Sequence, residues 1–328
     1  MTKHLIGITF LLTLTACIPP SPADVTASPS APVAGTPLGS GSNPIVLAIP
    51  AALTSDLAPL AQEMTNQLSA LTGLSIVPLA VADERELVAA LGDGRVHIAW
   101  LSPLAYLYAR EKNYADIGFA TTRSGQDKQA VQFLVNANAV ARGEYKTYYD
   151  ELTASNFTDA IHALAQFANK RPCWTDVHSA TGYVAPLGLL SDNGIPVKTG
   201  AFMQIEADLV RSLYLDPSGG VCQFGASYFD ARPLLVAEHE DVSQKVSIVW
   251  VSPPTVPFDA LTFSATLPQE VRVPILAALT ALTQSESGRA MLNSIYHTEA
   301  FKFADDSLFA DLRHLVDSSG LLLFDLLR

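Results

Sequence analysis

The stretch Val96-His-Ile-Ala-Trp-Leu101, followed directly by Ser102 and Pro103, indicates a buried strand that ends where a helix begins. The run is short and apolar, as in strands that are covered on both faces. Proline is tolerated at the first position of a helix because the N–H of that residue would have no intrahelical partner. The sequence therefore predicts a strand-to-helix turn at Ser102.

The same alternation extends to both sides of this turn. Residues 45–49 and 75–81 are apolar runs of strand length, and apolar residues recur with the helical period in residues 57–73 and 84–91. Alternating strands and helices indicate parallel strands joined by right-handed crossovers. A second set of this kind follows the apolar run at residues 130–137. The sequence therefore predicts the α/β class for both parts of the chain.

The N-terminus has the layout of an export signal with a lipid attachment site. A polar start leads into an apolar segment too short to span a bilayer, and Leu14-Thr-Ala-Cys17 closes it. This closing stretch resembles a bacterial lipobox, whose cysteine becomes the lipidated first residue of the mature protein. We expect a signal peptide at residues 1–16 and a lipid on Cys17; the alternative is an ordinary signal with an accidental cysteine. Residues 17–43, rich in Pro, Ser, Ala, Thr and Gly, should form a flexible linker.

Composition restricts the partners of the rest of the chain. Hydrophobic residues make up 49% and charged residues 16% of the sequence, which predicts a well-packed globule. The formal charge is −12 and no cluster of lysine or arginine is present, so a nucleic-acid partner is excluded. Once Cys17 is assigned to the lipid, Cys173 and Cys222 remain. In an exported protein they form either a disulfide or two buried thiols, and we favour the disulfide.

Motifs for catalysis and metal binding are missing from the sequence. It contains no GxSxG nucleophile elbow, P-loop, HExxH or CxxC pattern, and its histidines lack metal-ligand spacing. We therefore expect a protein that is not an enzyme and that holds no cofactor or metal.

Four stretches carry a resemblance to a known family, and they occur in a characteristic order: Val96-His-Ile-Ala-Trp-Leu-Ser-Pro-Leu-Ala-Tyr106, Trp174-Thr-Asp-Val-His-Ser-Ala-Thr-Gly-Tyr183, Gly225-Ala-Ser-Tyr-Phe-Asp-Ala-Arg232 and Trp250-Val-Ser-Pro-Pro254. Together they resemble the substrate-binding proteins of phosphonate, phosphite and phosphate ABC importers. The resemblance covers roughly residues 44–317.

The resemblance implies a two-lobed periplasmic-binding-protein-like fold of type 2. Each lobe is expected to be a mainly parallel sheet flanked by helices, with two crossing hinge strands between the lobes. On this sequence the first lobe would comprise residues 44–135 and 256–328, and the second lobe residues 136–255. The lobes would close on a ligand bound between them.

An anion cradle is expected at Ser179-Ala180-Thr181-Gly182-Tyr183, between a strand and a helix start. Free backbone amides at a helix N-terminus favour an oxyanion, and the two hydroxyl groups add donors. Glycine would let the backbone approach the ligand closely. The alternative is that Ser179 or Thr181 only caps the helix.

Other candidate ligand-binding residues follow from their places at strand ends and from the resemblance. Ser102 and Tyr106 follow the third strand, where ligands of open α/β sheets bind; Tyr106 is equally well explained as a core aromatic residue. Asp230 matches an acidic position of the family and would face a cationic part of a ligand or orient Tyr228. A surface turn or a salt bridge explains Asp230 as well.

One position departs from the family pattern. Phosphonate binders usually have a histidine where this chain has Glu206, or Ile205 in an alternative alignment. A carboxylate there would repel a dianionic ligand, so the departure leaves the identity of the ligand open.

We therefore expect a membrane-tethered extracytoplasmic receptor, monomeric, that passes a small oxyanion to an ABC permease. The alternatives are a ligand-sensing module for a membrane signalling partner and a family member with a non-phosphonate ligand. The lipid on Cys17 would hold the protein at the periplasmic or extracellular face of the membrane.

Overall fold

The computed structural model describes residues 35–50 and 58–328, so the expected signal peptide, Cys17 and the linker up to residue 34 lie outside the described residues. The strands are β1 (Ile45–Pro50), β2 (Ile76–Val81), β3 (Ile98–Leu101), β4 (Ala115–Thr122), β5 (Lys128–Gln129), β6 (Val131–Asn136), β7 (Tyr149–Asp150), β8 (Ser155–Asn156), β9 (Pro172–Trp174), β10 (Ala201–Phe202), β11 (Phe224–Tyr228), β12 (Val246–Val251), β13 (Val256–Pro257), β14 (Ala260–Ser264) and β15 (Ala300–Phe303). The helices are α1 (Ala58–Thr72), α2 (Glu84–Gly92), α3 (Pro103–Glu111), α4 (Ala137–Ala141), α5 (Ala160–Leu164), α6 (Ala185–Asp192), α7 (Glu206–Leu215), α8 (Val242–Lys245), α9 (Gln269–Gln284), α10 (Glu286–Tyr296) and α11 (Ala310–Ser319).

Two mixed sheets form the two lobes. The first has the order β15-β4-β14-β3-β1-β2, and the second has the order β10-β9-β11-β6-β12. Strands β1, β2 and β3 pair in parallel, as do β9, β10 and β11. The succession β1-α1-β2-α2-β3-α3 confirms the predicted alternation of the N-terminal region.

Most strands of each sheet run in one direction, as expected: β1, β2, β3 and β4 in the first sheet, and β9, β10, β11 and β12 in the second. Strands β14 and β15 run antiparallel to their neighbours in the first sheet, and β6 runs antiparallel to β11 and β12 in the second. The hinge explains the direction of β6 and β14. Strands β6 and β14 leave the hinge directly, whereas their neighbours β12 and β4 lead back into it, so the two kinds of strand must run in opposite directions.

The hinge is an antiparallel pair of short strands, β5 and β13, in which Gln129 lies opposite Val256. Strand β6 follows at once and belongs to the second sheet. The expected lobe boundary at residues 135 and 136 would cut through this strand. The sheets instead place the first crossing at residues 128–130.

The C-terminal helix α11 packs on the second lobe, although residues 256–328 were expected to belong to the first lobe. It lies against α6, where a Cβ atom on Gly188 would come within 2.2 Å of the Leu315 carbonyl oxygen. His314 Nε2 and Asp192 Oδ1 are 2.9 Å apart across the same contact. The chain then returns to the first lobe, where Arg85 Nε donates to the Leu327 carbonyl over 3.1 Å. Residues 256–328 are therefore shared between the lobes.

The end of the expected flexible linker is fixed to the first lobe. The Gly39 N–H donates to the Asn43 carbonyl over 2.8 Å, and the Ser75 N–H donates to the Gly39 carbonyl over 2.6 Å. Leu38 packs against the core of this lobe. These contacts hold residues 38–43 on the first lobe, so these residues are not part of a flexible tether.

Of the two alternatives for the remaining cysteines, the structure has the disulfide. Cys173 in β9 is bonded to Cys222, and their Cα atoms are 5.4 Å apart. Across residues 35–50 and 58–328, none of the helices has both the length and the apolar character that a bilayer crossing requires.

Candidate functional site

A cavity of about 190 Å³ lies between the two lobes. The first lobe contributes the end of β3 and the start of α3, and the second lobe contributes the turn before α6. The lining residues are Glu84, Ser102, Pro103, Leu104, Arg123, Gln129, His178, Ser179, Ala180, Thr181, Phe258, Asp259 and Arg328. The structure therefore brings the predicted residues Ser102, Ser179, Ala180 and Thr181 together around one space.

The first-lobe wall is a helix N-terminus. Ser102 has extended backbone angles and its Oγ accepts from the Ala105 N–H over 3.3 Å, which makes it the N-cap of α3. Pro103 occupies the first helical position, as the sequence predicts. Because the unbonded amides of a helix start point away from the helix body, the positive end of α3 faces the cavity.

The second-lobe wall is also a helix N-terminus. Ser179 caps a π-helical turn, Ala180–Val184, that continues without a break into α6. Its Oγ accepts from the Gly182 N–H over 2.9 Å. The capping alternative for Ser179 is thus realised, and the hydroxyl hydrogen of Ser179 is still available to a ligand.

Free donors remain beside this cap. Within the described part of the chain, the amides of Ala180 and Thr181 have no hydrogen-bond partner, as expected for the first positions of a helix. The Thr181 hydroxyl makes no hydrogen bond to another described residue either, although only 7% of this residue is exposed. The turn therefore offers two amides and two hydroxyl groups to the cavity.

Charged side chains of both signs surround these donors. Arg123 lies over the Phe258 ring, with its Cζ atom 4.9 Å from the ring centre, and Arg328 lines the cavity as well. Glu84 and Asp259 contribute carboxylates. Burial raises the pKa of Asp259 to about 6 against an opposing effect of Arg123. The cavity thus combines two cations and two helix N-termini with two acidic groups.

His178 connects the second-lobe wall to the C-terminal segment. Its Nδ1 is 3.0 Å from the Leu326 carbonyl oxygen. Because a carbonyl can only accept, Nδ1 carries the hydrogen, and Nε2 of a neutral ring is then an acceptor.

A larger compartment of about 470 Å³ adjoins the cavity on the first-lobe side. The two spaces share Glu84, Ser102, Asp259 and Arg328. The far wall of the compartment includes Trp100 and Tyr296, whose rings stack with centroids 3.7 Å apart.

Tyr106 lies in the core rather than in the cleft. It has no exposed surface, and its hydroxyl donates to Asp306 Oδ1 over 2.9 Å. Burial, followed by this hydrogen bond, raises the pKa of Tyr106. The explanation of Tyr106 as a core aromatic residue is therefore the one that the structure supports.

Gly182 and Tyr183 do not line the cavity. A Cβ atom on Gly182 would come within 1.8 Å of Thr175 Oγ1, so the glycine is required by packing within the lobe rather than by a ligand. The Tyr183 ring packs against Trp174 and Phe202, with ring centroids 5.7 and 5.0 Å apart.

The remaining predicted residues, Glu206, Tyr228 and Asp230, lie near one another at the carboxyl end of β11, the central strand of the second sheet. Burial first, and then the charges of Glu206 and Asp230, raise the pKa of Tyr228. Asp230 accepts from Arg232 Nη2 over 2.8 Å, and the same guanidinium donates to Glu151 over 2.6 Å. The salt-bridge alternative for Asp230 is thus realised, and none of these three predicted residues lines the cavity at Ser179.

Sequence reasoning missed Arg123 and Asp259. Arg123 follows the carboxyl end of β4 just as Ser102 follows β3, so the strand-end rule could have found it. Asp259 precedes the antiparallel strand β14, whose amino end faces the cleft, and no sequence pattern revealed that direction. Among the described residues, no group of three or more His, Cys, Asp or Glu side chains is placed to hold a metal ion.

A family model described as the periplasmic phosphonate substrate-binding protein of an ABC transporter matches residues 46–309. A search of curated proteins found no match to this chain.

Solved structures share the fold at low sequence identity. A Xanthomonas citri protein bound to chloride ion is similar with a TM-score of 0.61 and 15% identity, over 84% of this chain and 97% of its own. PhnD1 from Prochlorococcus marinus, in complex with methylphosphonate, has a TM-score of 0.56 and 13% identity, over 85% and 98% of the two chains. A binding protein component of an ABC phosphonate transporter from Pseudomonas aeruginosa has a TM-score of 0.53 and 15% identity, over 84% and 87%. These likenesses confirm the α/β fold of type 2 periplasmic binding proteins.

Proposed function

The chain belongs to the periplasmic substrate-binding proteins of phosphonate ABC transporters, a family of transport proteins and not of enzymes, and we propose that it binds a small oxyanion between Ser102 and Thr181. The ligand would be a phosphonate, phosphite or phosphate, and the receptor would pass it to a membrane permease. A relative solved with methylphosphonate is consistent with this ligand class.

One observation carries the proposal: two helices, one from each lobe, direct their N-termini into the same cavity. Ser102 caps one helix and Ser179 caps the other, and both line the space between them. Each N-terminus carries roughly half a positive charge. An anion between them is therefore stabilised by both ends at once.

The same arrangement explains how a ligand would favour closure. An oxyanion that contacts α3 alone or α6 alone gains only one set of donors, whereas the closed molecule supplies both. A ligand shifts a conformational equilibrium only by its difference in affinity for the two states. Because the second set of donors is available only on closure, this difference is large, and movement about the β5–β13 hinge follows.

Export and anchoring extend the proposal to residues 1–17, which lie outside the described residues. The lipobox at Leu14-Thr-Ala-Cys17 supports a lipid on Cys17. Because the first lobe fixes residues 38–43, at most the 20 residues from Ile18 to Pro37 would act as the tether. Such a chain has a root-mean-square reach of about 25 Å, which keeps the receptor near a permease.

Thermal melting of the purified protein with phosphate, phosphite, methylphosphonate and sulfonates tests the ligand class. A ligand at 100 times its dissociation constant should stabilise the protein by about 2.7 kcal/mol. If only compounds without an oxyanion raise the melting temperature, the proposal is wrong.

The Thr181→Val variant tests the site itself. It removes the free hydroxyl at nearly constant volume, and we expect oxyanion affinity to fall about tenfold or more, since a hydrogen bond to a charged group is worth about 1.5–3 kcal/mol. Thr280→Val, the same change on the exposed face of α9, is the control and should leave affinity unchanged. Equal affinity of both variants would place the ligand elsewhere.

A further inference from the structure

Asp259 is a carboxylate in the cleft that the proposed function does not yet use. It lies between hinge strand β13 and β14 and lines both the cavity and the larger compartment. Its backbone carbonyl accepts from the N–H and the hydroxyl of Thr121, over 3.0 and 2.8 Å. Among the bonds of the described residues, none involves its carboxylate oxygens.

Several charged groups surround Asp259, and none of those described forms an ion pair with it. Arg123, Glu84 and His297 act on it electrostatically, and His178 and Arg328 line the same cavity. Arg123 is held over the Phe258 ring instead of against the carboxylate. The oxygens of Asp259 are therefore left to a ligand.

A carboxylate beside an oxyanion site favours ligands that carry a proton. An unprotonated carboxylate repels an anion that has no hydrogen to share. An oxyanion with a P–OH group removes this conflict, because its hydroxyl donates to the carboxylate in a charge-assisted hydrogen bond.

We propose that Asp259 determines specificity by accepting a hydrogen bond from the P–OH group of a singly protonated phosphonate or phosphate. Sulfonates and sulfate have no such hydrogen near neutral pH and are disfavoured. This inference rests on the proposed function, since it assumes an oxyanion held between Ser102 and Thr181.

The need for a shared proton makes the binding of a sulfonate depend on pH. One proton must lie between Asp259 and the ligand, on either partner. A sulfonate cannot supply it, so a sulfonate binds only molecules in which Asp259 itself is protonated. Burial raises the pKa of Asp259 to about 6, so this protonated population decreases as the pH rises above that value.

Titration calorimetry of the purified protein with methylphosphonate and methanesulfonate, between about pH 5 and pH 8, tests the inference. Methanesulfonate affinity should fall by about tenfold per pH unit above the pKa, because each unit removes nine-tenths of the protonated form. Methylphosphonate should bind at least about tenfold more tightly than methanesulfonate at the upper end of this range. In Asp259→Asn, methanesulfonate should bind with no such pH dependence, because an amide needs no proton from solvent in order to donate.

Glu84→Gln is the matched control, because it removes the same charge from the same cavity. It should strengthen the binding of both ligands alike and leave the preference unchanged. If methanesulfonate binds wild-type protein with constant affinity across the range, the role of Asp259 is overturned while oxyanion binding stands. If neither anion binds at any pH, the proposed function fails and the inference fails with it. The wild-type profile alone decides the question if Asp259→Asn does not fold.

Discussion

The Tyr106 hydroxyl donates to Asp306 Oδ1 over 2.9 Å and so joins helix α3 to a segment 200 residues later in the chain. Asp306 also accepts from Arg313 Nη2 over 2.9 Å, in helix α11. This carboxylate therefore connects helix α3, which faces the cavity between the lobes, to helix α11, which packs on the second lobe.

Tyr106→Phe should lower the free energy of unfolding by about 1 kcal/mol without changing ligand affinity. The reason is that the variant loses one buried hydrogen bond and no group that lines the cavity. Urea unfolding and calorimetry measure the two effects. Tyr108→Phe is the control, since no hydrogen bond among the described residues uses its hydroxyl, and it should be neutral in both. A loss of affinity in Tyr106→Phe alone would return Tyr106 to the binding site.

Ser179→Ala should reduce both stability and oxyanion affinity. The stability loss is about 0.5–2 kcal/mol, because the Gly182 N–H loses its cap. Ser285→Ala removes the equivalent cap of α10, where Ser285 Oγ accepts from the Gly288 N–H over 3.0 Å; Ser285 lines neither the cavity nor the larger compartment. Thermal melts with and without methylphosphonate separate the effects, and only Ser179→Ala should lose the ligand-induced shift. The same shift in both variants would contradict a binding role for Ser179.

Gly188→Ala should destabilise the protein by roughly 1–3 kcal/mol through overpacking. Its new methyl group would come within 2.2 Å of the Leu315 carbonyl oxygen, a backbone atom that cannot rotate away, so α11 must move off α6. Gly220→Ala is the control, because its nearest neighbour is 3.4 Å away. Chemical denaturation compares the two, and equal midpoints would show that the contact of α11 with α6 is loose.

Reduction of the Cys173–Cys222 disulfide should lower stability by roughly 4 kcal/mol, because the bond closes a loop with a sequence separation of 49 residues. Thermal melts with and without a reducing agent measure the loss. The double variant Cys173→Ala, Cys222→Ala should be insensitive to the reducing agent. Sensitivity in that variant would show that the agent acts at another site.

The individual helices and strands were predictable because the sequence signals for each lie within a few neighbouring residues. Pro103 after a buried strand marked the start of α3, and the helical periods before it located α1 and α2.

The directions of strands and the contacts between distant segments were not predictable. An apolar strand has the same pattern in either direction, so the antiparallel course of β14, and with it the position of Asp259 in the cleft, could not be derived. Tyr106 follows a strand end as Ser102 does, and only its distant partner Asp306 distinguishes the two roles. The packing of α11 on Gly188 depends on residues 127 positions apart (188 and 315), which no periodicity records.

The turn at Gly39 has a mechanical consequence. It is bonded to Ser75, at the amino ends of β1 and β2, whereas the cleft lies beyond the carboxyl ends of β1, β2 and β3. A force applied to the N-terminal segment therefore acts on the first lobe at the end opposite the cleft. It does not act directly on the hinge strands β5 and β13. A receptor that is tethered through this segment can open and close while the tether is under tension, with its cleft directed away from the point of attachment.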